Sequence, residues 1–260
     1  PMTPRAPNSS EPLSPAQWAR LVMADDPRAA GYYSCTPADA PERARQRLRS
    51  EPPPLSEDAI TEWKNWLPAN APQPVLDNIE ALGRPGTLAV VTGQQAGLLG
   101  GPLFTLAKAI GALRWARRLS EEIAAPVVPV FWIASDDHDY AEVATATWLD
   151  SHINVRKHTA PENPSDAGKP VYERSIPPNT LGEIFRQLRQ TAPESLVREE
   201  VFEELHTLFG DEDTPLNWET HFAALITRLL GAHGLVPLAP RLPFMRRASV
   251  PLMRREIEAG

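Results

Sequence analysis

The sequence predicts an α/β fold in which a parallel sheet follows a helical lead-in and is interrupted by an inserted α-rich segment. Three observations carry this. Leu88 to Val91 and Pro126 to Ala134 are apolar runs rich in β-branched residues, the pattern of buried strands. Between them, Pro102 to about Leu119 places Leu103, Leu106, Ala107, Ile110 and Leu113 at three- and four-residue spacings, opposite Lys108, Arg114, Arg117 and Arg118, which makes an amphipathic helix. Leu235 to Leu238 is a third short apolar run. Strand, helix, strand in this order is one βαβ unit, whose strands run parallel through a right-handed crossover.

The elements follow in chain order. Residues 1–15 hold five prolines among Ser and Asn and read as an extended arm. Ser14 caps a short helix carrying Trp18, Leu21 and Val22, with Pro15 in its first turn. Pro41 to Arg49 is a basic helix, read as a solvated face. After Pro52-Pro53-Pro54, Ser56-Glu57-Asp58 caps a helix with Ile60, Trp63 and Trp66 on its apolar side, and Pro74 to Leu82 forms another. These segments make residues 1–86 an arm and helical lead-in, and residues 87–150 the first part of the core. Residues 151–232 read as an inserted connecting segment. Its parts are short strands at His152–Lys157 and Pro170–Ser175, then helices at Thr180–Gln190, Pro193–Phe209 and Leu216–Leu230. Trp218 and His221 read as packing residues there. Residues 233–260 return to the core with the third strand and a helix from about Pro243.

Composition narrows the function. A chain of 260 residues with 42% hydrophobic content buries a sizeable core, and no apolar run is long enough to span a bilayer. Lys+Arg 26 against Asp+Glu 33 leaves a net charge of −7, which argues against nucleic acid or an anionic membrane as partner and for small molecules or other protein. The single cysteine, Cys35, excludes an internal disulfide framework and has no basic neighbour to activate it. Without a charged-then-apolar leader the expected location is cytoplasmic. The chain stops at Glu256-Ile257-Glu258-Ala259-Gly260, inside a charged helical pattern, and is expected to be a fragment of something longer.

Two stretches carry candidate chemistry. The first is Thr92-Gly93-Gln94-Gln95-Ala96-Gly97, continuing to Gly100-Gly101. Its spacing fits neither G-x-G-x-x-G nor a phosphate-binding P-loop. One reading has loop N–H groups and the positive helix end hold an anion. The other has the glycines serve only a tight turn and close helix-to-strand packing. Thr92, Gln94 and Gln95, polar side chains at the carboxyl end of a buried strand, favour ligand binding. Lys108 lies two turns into the helix, where it either reaches back to the loop or stays a surface lysine.

The second stretch is Ser135-Asp136-Asp137-His138-Asp139-Tyr140, with Glu142 just beyond. The carboxyl ends of both strands open on one edge of the sheet, so Thr92–Gly97 and Asp136–His138 are expected to face one crevice. A bland alternative makes Ser135 or Asp136 the cap of a helix running to about Thr147. As a site, the cluster offers acid/base groups and a cation-binding carboxylate to an amine, His138 titrating nearest neutral pH. Asp136, His138 and Asp139 are alternatively ligands for a divalent metal. His152, His158, His221 and His233 are scattered and complete no metal shell, so no metal residues are assigned.

Residues 90–110 (Val-Val-Thr-Gly-Gln-Gln-Ala-Gly-Leu-Leu-Gly-Gly-Pro-Leu-Phe-Thr-Leu-Ala-Lys-Ala-Ile) and 126–139 (Pro-Val-Val-Pro-Val-Phe-Trp-Ile-Ala-Ser-Asp-Asp-His-Asp) together resemble the bacillithiol biosynthesis cysteine-adding enzyme family, BshC. The resemblance covers the N-terminal half of that family. It implies a Rossmann-like core with inserted segments, a C-terminal coiled coil supporting a homodimer in the longer protein, and a ligase that forms a carbon–nitrogen bond between cysteine and glucosaminyl malate. Matched positions are Thr92, Gly93, Gln94, Gln95, Gly97, Gly101, Pro102, Thr105 and Lys108, and then Asp136, Asp137, His138 and Asp139. Where the family usually reads Gly-Glu-Asp-His-Asp, this chain has Ser135-Asp136-Asp137-His138-Asp139, which keeps the charge but shortens one reach by a methylene. The implied catalytic residues are Asp136, Asp137 and His138; the implied substrate-binding residues are Thr92, Gly93, Gln94, Gln95, Gly97, Lys108 and Asp139. ATP or another nucleotide is the candidate activator of the cysteine carboxyl, and no recognisable ATP motif identifies it. Two other classes stay open: a metal-dependent hydrolase built on Asp136–Asp139, and a non-catalytic small-molecule binding module.

Overall fold

The structure is a computed structural model that describes residues 14–24, 26, 28, 36–209 and 216–259. The proline-rich arm before Ser14 and Cys35 lie outside the described residues.

The lead-in is helical, as its caps predict. Helix α1 spans Pro15–Met23, and Ser14 and Gln17 close a reciprocal capping box at its start. Helices α2 (Ala40–Arg49), α3 (Glu57–Trp66) and α4 (Gln73–Leu82) follow, and the Ser56 hydroxyl oxygen caps α3 by accepting from Ala59 N–H. Strand β1 is Leu88–Gln94, α5 is Phe104–Ile123 and β2 is Val127–Ile133. Between β2 and the last strand follow α6 (Tyr140–Val143), β3 (Thr145–Leu149), β4 (Val155–Thr159), β5 (Ser175–Ile176), α7 (Thr180–Thr191), α8 (Arg198–Phe209), β6 (Leu216–Asn217) and α9 (Trp218–Leu230). Strand β7 (Val236–Leu238) and helix α10 (Pro243–Ala259) end the described chain.

The expected parallel sheet is present, in the order β1-β2-β7. Leu88 pairs with Val127 and Gln94 with Ile133, while Val130 pairs with Val236. Partners in register share a face, so alternate residues of β2 feed two cores. Phe131 and Ile133 pack with Ala109, Phe222, Ile226 and Leu235 beneath α5 and α9. Val128 and Val130 pack with Trp63, Val75, Ile79 and Val236 beneath α3 and α4. The Phe131 and Phe222 rings lie 5.9 Å apart. On the other face, Trp63 Nε1 donates to the Pro237 carbonyl at 2.8 Å, tying the lead-in to β7. A strand buried on both faces has no room for polar alternation, which is why β2 reads as one continuous apolar run. No helix among the described residues is long and apolar enough to cross a membrane.

Three local expectations are corrected. The buried face of α5 is Thr105, Ala109, Ala112, Ala116 and Leu119, with Leu106 and Leu113 partly buried beside it. Leu103 and Ile110, placed on the apolar stripe by spacing, are exposed. Small residues let the helix axis approach the sheet, so the stripe is rotated toward the alanines. Secondly, the helix expected to reach Thr147 stops at Val143. Thr145 to Leu149, rich in β-branched and aromatic residues, pairs antiparallel with Val155–Thr159 instead. The turn of this hairpin is fixed by Asp150, whose Oδ1 accepts from His152 N–H and Asn154 N–H at 2.9 Å each. Thirdly, in the Pro170–Ser175 stretch Val171–Glu173 is a 3₁₀ turn, and the strand is confined to Ser175–Ile176, paired with Leu216–Asn217.

Candidate active site

The carboxyl end of β1 delivers Gln94 and Gln95 beside the first turns of α5. Register puts Gln94 on the same face as Ile133, the face covered by α5. Lys108 reaches back along the helix, donating to the Gly93 carbonyl at 3.1 Å and to Gln94 Oε1 at 2.8 Å. That bond commits the Gln94 amide nitrogen to donate outward, to Gln95 Oε1 at 2.9 Å and toward Glu142 Oε1 at 3.4 Å. Gln95 in turn donates to Glu142 Oε2 at 2.8 Å and toward Asp137 Oδ2 at 3.4 Å. The result is a directed chain from the ammonium of Lys108 through two amides to two carboxylates. Each amide is oriented by the partner before it.

The glycine loop shapes this corner. Gly97, Gly100 and Gly101 spend their N–H groups within the loop, on the carbonyls of Gln95, Gly97 and Leu98. A Cβ on Gly97 would stand 2.6 Å from the Gly101 Cα, and Gly101 itself has φ of 69°. The tight-turn reading therefore accounts for these glycines, and the polar side chains around them define the site. A cleft of about 530 Å³ opens here, lined by Gln94, Gln95, Gly97, Gly101, Glu142, Thr145, Thr147 and Lys157. Thr147 and Lys157 arrive together because they face each other across the β3–β4 hairpin.

The acidic stretch is divided among different environments. Asp137 is half-buried and joins the cleft through Gln95; its Oδ1 accepts from His138 N–H at 2.7 Å and Asp139 N–H at 3.2 Å. Those donors, that of Asp139 foremost, hold its carboxyl below the usual range. It is a fixed anion at neutral pH, suited to binding an ammonium group and poorly suited to taking its proton. His138 is 79% exposed, its Nδ1 lying 3.8 Å from Asp137. Asp139 caps α6 by accepting from Glu142 N–H. Asp136 turns to the far side of the loop and lines a second cleft with Trp132, Arg241 and Met245. Of the expected single crevice, then, Gln94, Gln95, Gly97 and Asp137 come together, Lys108 and Gly93 support them, and Asp136 and His138 stand apart. Thr92 is partly buried on β1, opposite Phe131 in register.

The loop after β2 is braced from below and from the side. Ser135 is fully buried, and its Oγ donates to Glu219 Oε2 at 2.5 Å. Glu219, also fully buried, accepts from Trp66 Nε1 at 3.2 Å and from Arg241 Nε at 2.8 Å. Laterally, Val171 N–H donates to the Asp137 carbonyl and Tyr172 N–H to that of Ser135. Sequence reasoning passed over Glu219, Thr145, Thr147 and Lys157 and gave Glu142 no role. An acid in the first turn of a helix reads as a dipole complement, so nothing local marks Glu219. Among the described residues, no three of His, Cys, Asp and Glu are placed to hold a metal ion, and the hydrolase alternative has no ligand set there.

The sequence profile described as "Bacillithiol biosynthesis BshC, N-terminal Rossmann-like domain" matches residues 32–260. Three relatives, each named "Putative cysteine ligase BshC", align with most of the chain. That of Heliobacterium modesticaldum is 36% identical over 171 residues, covering 66% of this chain and 30% of the relative. The Bacillus cereus relative is 34% identical over 190 residues, covering 72% and 34%. The relative from Solibacter usitatus is 36% identical over 196 residues, covering 70% and 33%. The chain thus spans about a third of the length of the curated relatives it matches.

Proposed function

Because the chain belongs to the BshC N-terminal Rossmann-like domain family, we propose that it forms the substrate-binding part of a cysteine ligase, joining the carboxyl of cysteine to the amine of glucosaminyl malate in bacillithiol biosynthesis. The observation that carries this reading is the Gln95 amide, held between Glu142 and Asp137 at the mouth of the first cleft. Two amides, two threonine hydroxyls, a lysine and two carboxylates around one opening make a surface for a polyhydroxylated amine. Sugar hydroxyls both donate and accept, and so do Gln94, Gln95, Thr145 and Thr147. Asp137, kept ionised by backbone donors, binds the ammonium form of the sugar amine and orients it.

Amide formation joins the amine nitrogen to the cysteine carbonyl carbon: the bound ammonium loses one proton to solvent to become the nucleophile and a second as the amide forms, and the departing carboxyl oxygen would leave on the phosphoryl group of a nucleoside triphosphate that activates it. Asp137 is a weak base in this setting, so its part is positioning, and positioning alone supplies a large share of many enzymatic rate enhancements. Lys108 acts at one remove, by setting the direction of the Gln94 and Gln95 amides. Calorimetric titration with glucosaminyl malate tests the assignment. Gln95→Ala and Asp137→Asn are each expected to weaken binding by about tenfold or more, the loss of a good polar contact. Unchanged affinity in both folded variants would remove the substrate from this cleft, and an intact protein that forms no cysteine adduct would refute the ligase reading.

A further inference from the structure

Glu219 divides its two oxygens between two tasks. Arg241 Nε at 2.8 Å, Arg241 Nη2 at 2.7 Å and Trp66 Nε1 at 3.2 Å all meet Oε1. Among the described residues Oε2 serves only the Ser135 hydroxyl. A carboxylate gripped through one oxygen is held from turning, so the other is aimed. Its target is the residue at which the chain leaves β2. Ser135 is fully buried and uses every polar group it has: its N–H donates to the Ile133 carbonyl at 2.7 Å, its carbonyl accepts from Tyr172 N–H at 3.0 Å, and its hydroxyl donates to Glu219. The strip that supplies Tyr172 is tied to the same helix end, where Asn217 Nδ2 donates to the Tyr172 carbonyl at 2.6 Å while its Oδ1 caps α9. Asn217 and Glu219 thus hold the turn from two sides. We infer that Glu219 is a positioning residue, acting through Ser135 to fix the turn that presents Asp137 to the first cleft. On the substrate reading above, from which this inference takes the part of Asp137, affinity then depends on a buried carboxylate that lines neither cleft.

The need for such a group follows from the contacts Asp137 makes. Its Oδ1 accepts from His138 N–H and Asp139 N–H of its own turn, and its Oδ2 meets Gln95 only at 3.4 Å. Contacts within one turn fix the carboxylate relative to that turn and leave the turn free to move against β1 and Gln95. Two anchors remove that freedom: Val171 N–H on the Asp137 carbonyl at 2.8 Å, and the Ser135 hydroxyl on Glu219. The second is the stronger, since a hydrogen bond to a carboxylate exceeds one between neutral groups.

The test uses three single variants of the intact protein. Ser135→Ala removes the link alone, Glu219→Gln keeps the shape of the side chain, and Trp66→Phe removes a bond to the oxygen that does not face the loop. Hydrogen–deuterium exchange, read by mass spectrometry on peptides covering residues 135–139 and 170–174, reports the turn without any substrate. Ser135→Ala is expected to speed exchange in those peptides by about tenfold and to weaken glucosaminyl malate binding by about tenfold in calorimetry, the scale of one lost polar contact or a misplaced binding group. Glu219→Gln should fall between Ser135→Ala and the parent. Trp66→Phe should lower the unfolding midpoint while leaving both readouts at parent values. Unchanged exchange in Ser135→Ala would overturn the inference, as would an equal rise in Trp66→Phe, which would make Glu219 a general support of the fold. Faster exchange in Ser135→Ala with parent-like affinity, or a parent that binds no glucosaminyl malate, would leave the positioning role standing and sink the reading that places the substrate on Asp137.

Discussion

Ser135 donates its hydroxyl hydrogen to the buried carboxylate of Glu219, 84 positions later in the chain. The pair sits directly under Asp136 and Asp137, and Glu219 binds Trp66 and Arg241 as well. One carboxylate therefore ties the lead-in, the loop after β2, α9 and the turn before α10 to a single point.

Removing that carboxylate is expected to be costly. Glu219→Ala leaves the Ser135 hydroxyl, Trp66 Nε1 and the partly buried Arg241 guanidinium without their acceptor, a loss of about 2–3 kcal/mol. Glu219→Gln keeps the shape and loses less. Denaturant titration checks this: a midpoint for Glu219→Ala within error of the parent would show that the network contributes little.

Two glycines predict opposite signs. A Cβ on Gly97 would meet the Gly101 Cα at 2.6 Å and its nitrogen at 3.0 Å, backbone that cannot rotate away, so Gly97→Ala is expected to destabilise by about 1–3 kcal/mol. Gly111 lies inside α5 with nothing within 4 Å of an added Cβ, and Gly111→Ala is expected to stabilise by roughly 0.5–1 kcal/mol through helix propensity. Thermal melts of the two variants should move in opposite directions.

Stability is expected to fall on mild acidification because of His221. Burial pushes its imidazole down to about 3, whereas in the unfolded chain it takes a proton near about pH 6.5. Folding therefore excludes a proton between those values, and stability drops as pH falls through that window, by at most roughly 1.4 kcal/mol per pH unit. Asp150, held near about 2 chiefly by Asn154 N–H, acts in the same direction only at lower pH, where carboxylates in the unfolded chain protonate. Unfolding measured from neutral pH to about pH 4 should show the slope in the parent and a flatter line in His221→Gln; equal slopes would remove His221 as the cause.

The two members of the Asp137-His138 pair are expected to differ. His138 is exposed, and among the described residues its ring has one ionic neighbour, the Asp137 carboxylate, so His138→Ala should change turnover by less than about threefold, the scale of a surface substitution. Asp137→Ala removes the fixed anion and should lower kcat/KM by about a hundredfold, the scale of a lost charge-assisted contact in a site. Steady-state kinetics of the intact protein decide it, and a larger loss for His138→Ala would restore the histidine as a proton-transfer group.

Much of the frame was legible because it is local. The continuous apolar run of β2 can only be a strand covered on both faces, and Ser14 and Ser56 cap the helices they precede. Gln94, Gln95 and Asp137 were visible as polar residues at strand ends that parallel topology brings to one edge. The face of α5 was misjudged because hydrophobicity alone does not tell which residues are small enough to lie against a sheet. Likewise the helix read through Thr147 failed because the preference of Thr145–Leu149 for extended structure is realised only once Val155–Thr159 returns to pair with it.

What the sequence determined by itself was the order of elements, the parallel sheet and the two stretches proposed as the site, since periodicity, caps and turn residues act over a few positions. Tertiary structure alone decided which side of the Ser135–Asp137 loop each carboxylate faces, that Glu142 and the Thr147–Lys157 pair join the glutamines, and that Glu219 lies beneath them. Those outcomes depend on contacts between residues tens of positions apart, where burial and hydrogen-bond satisfaction across the whole fold, and no local preference, select the arrangement.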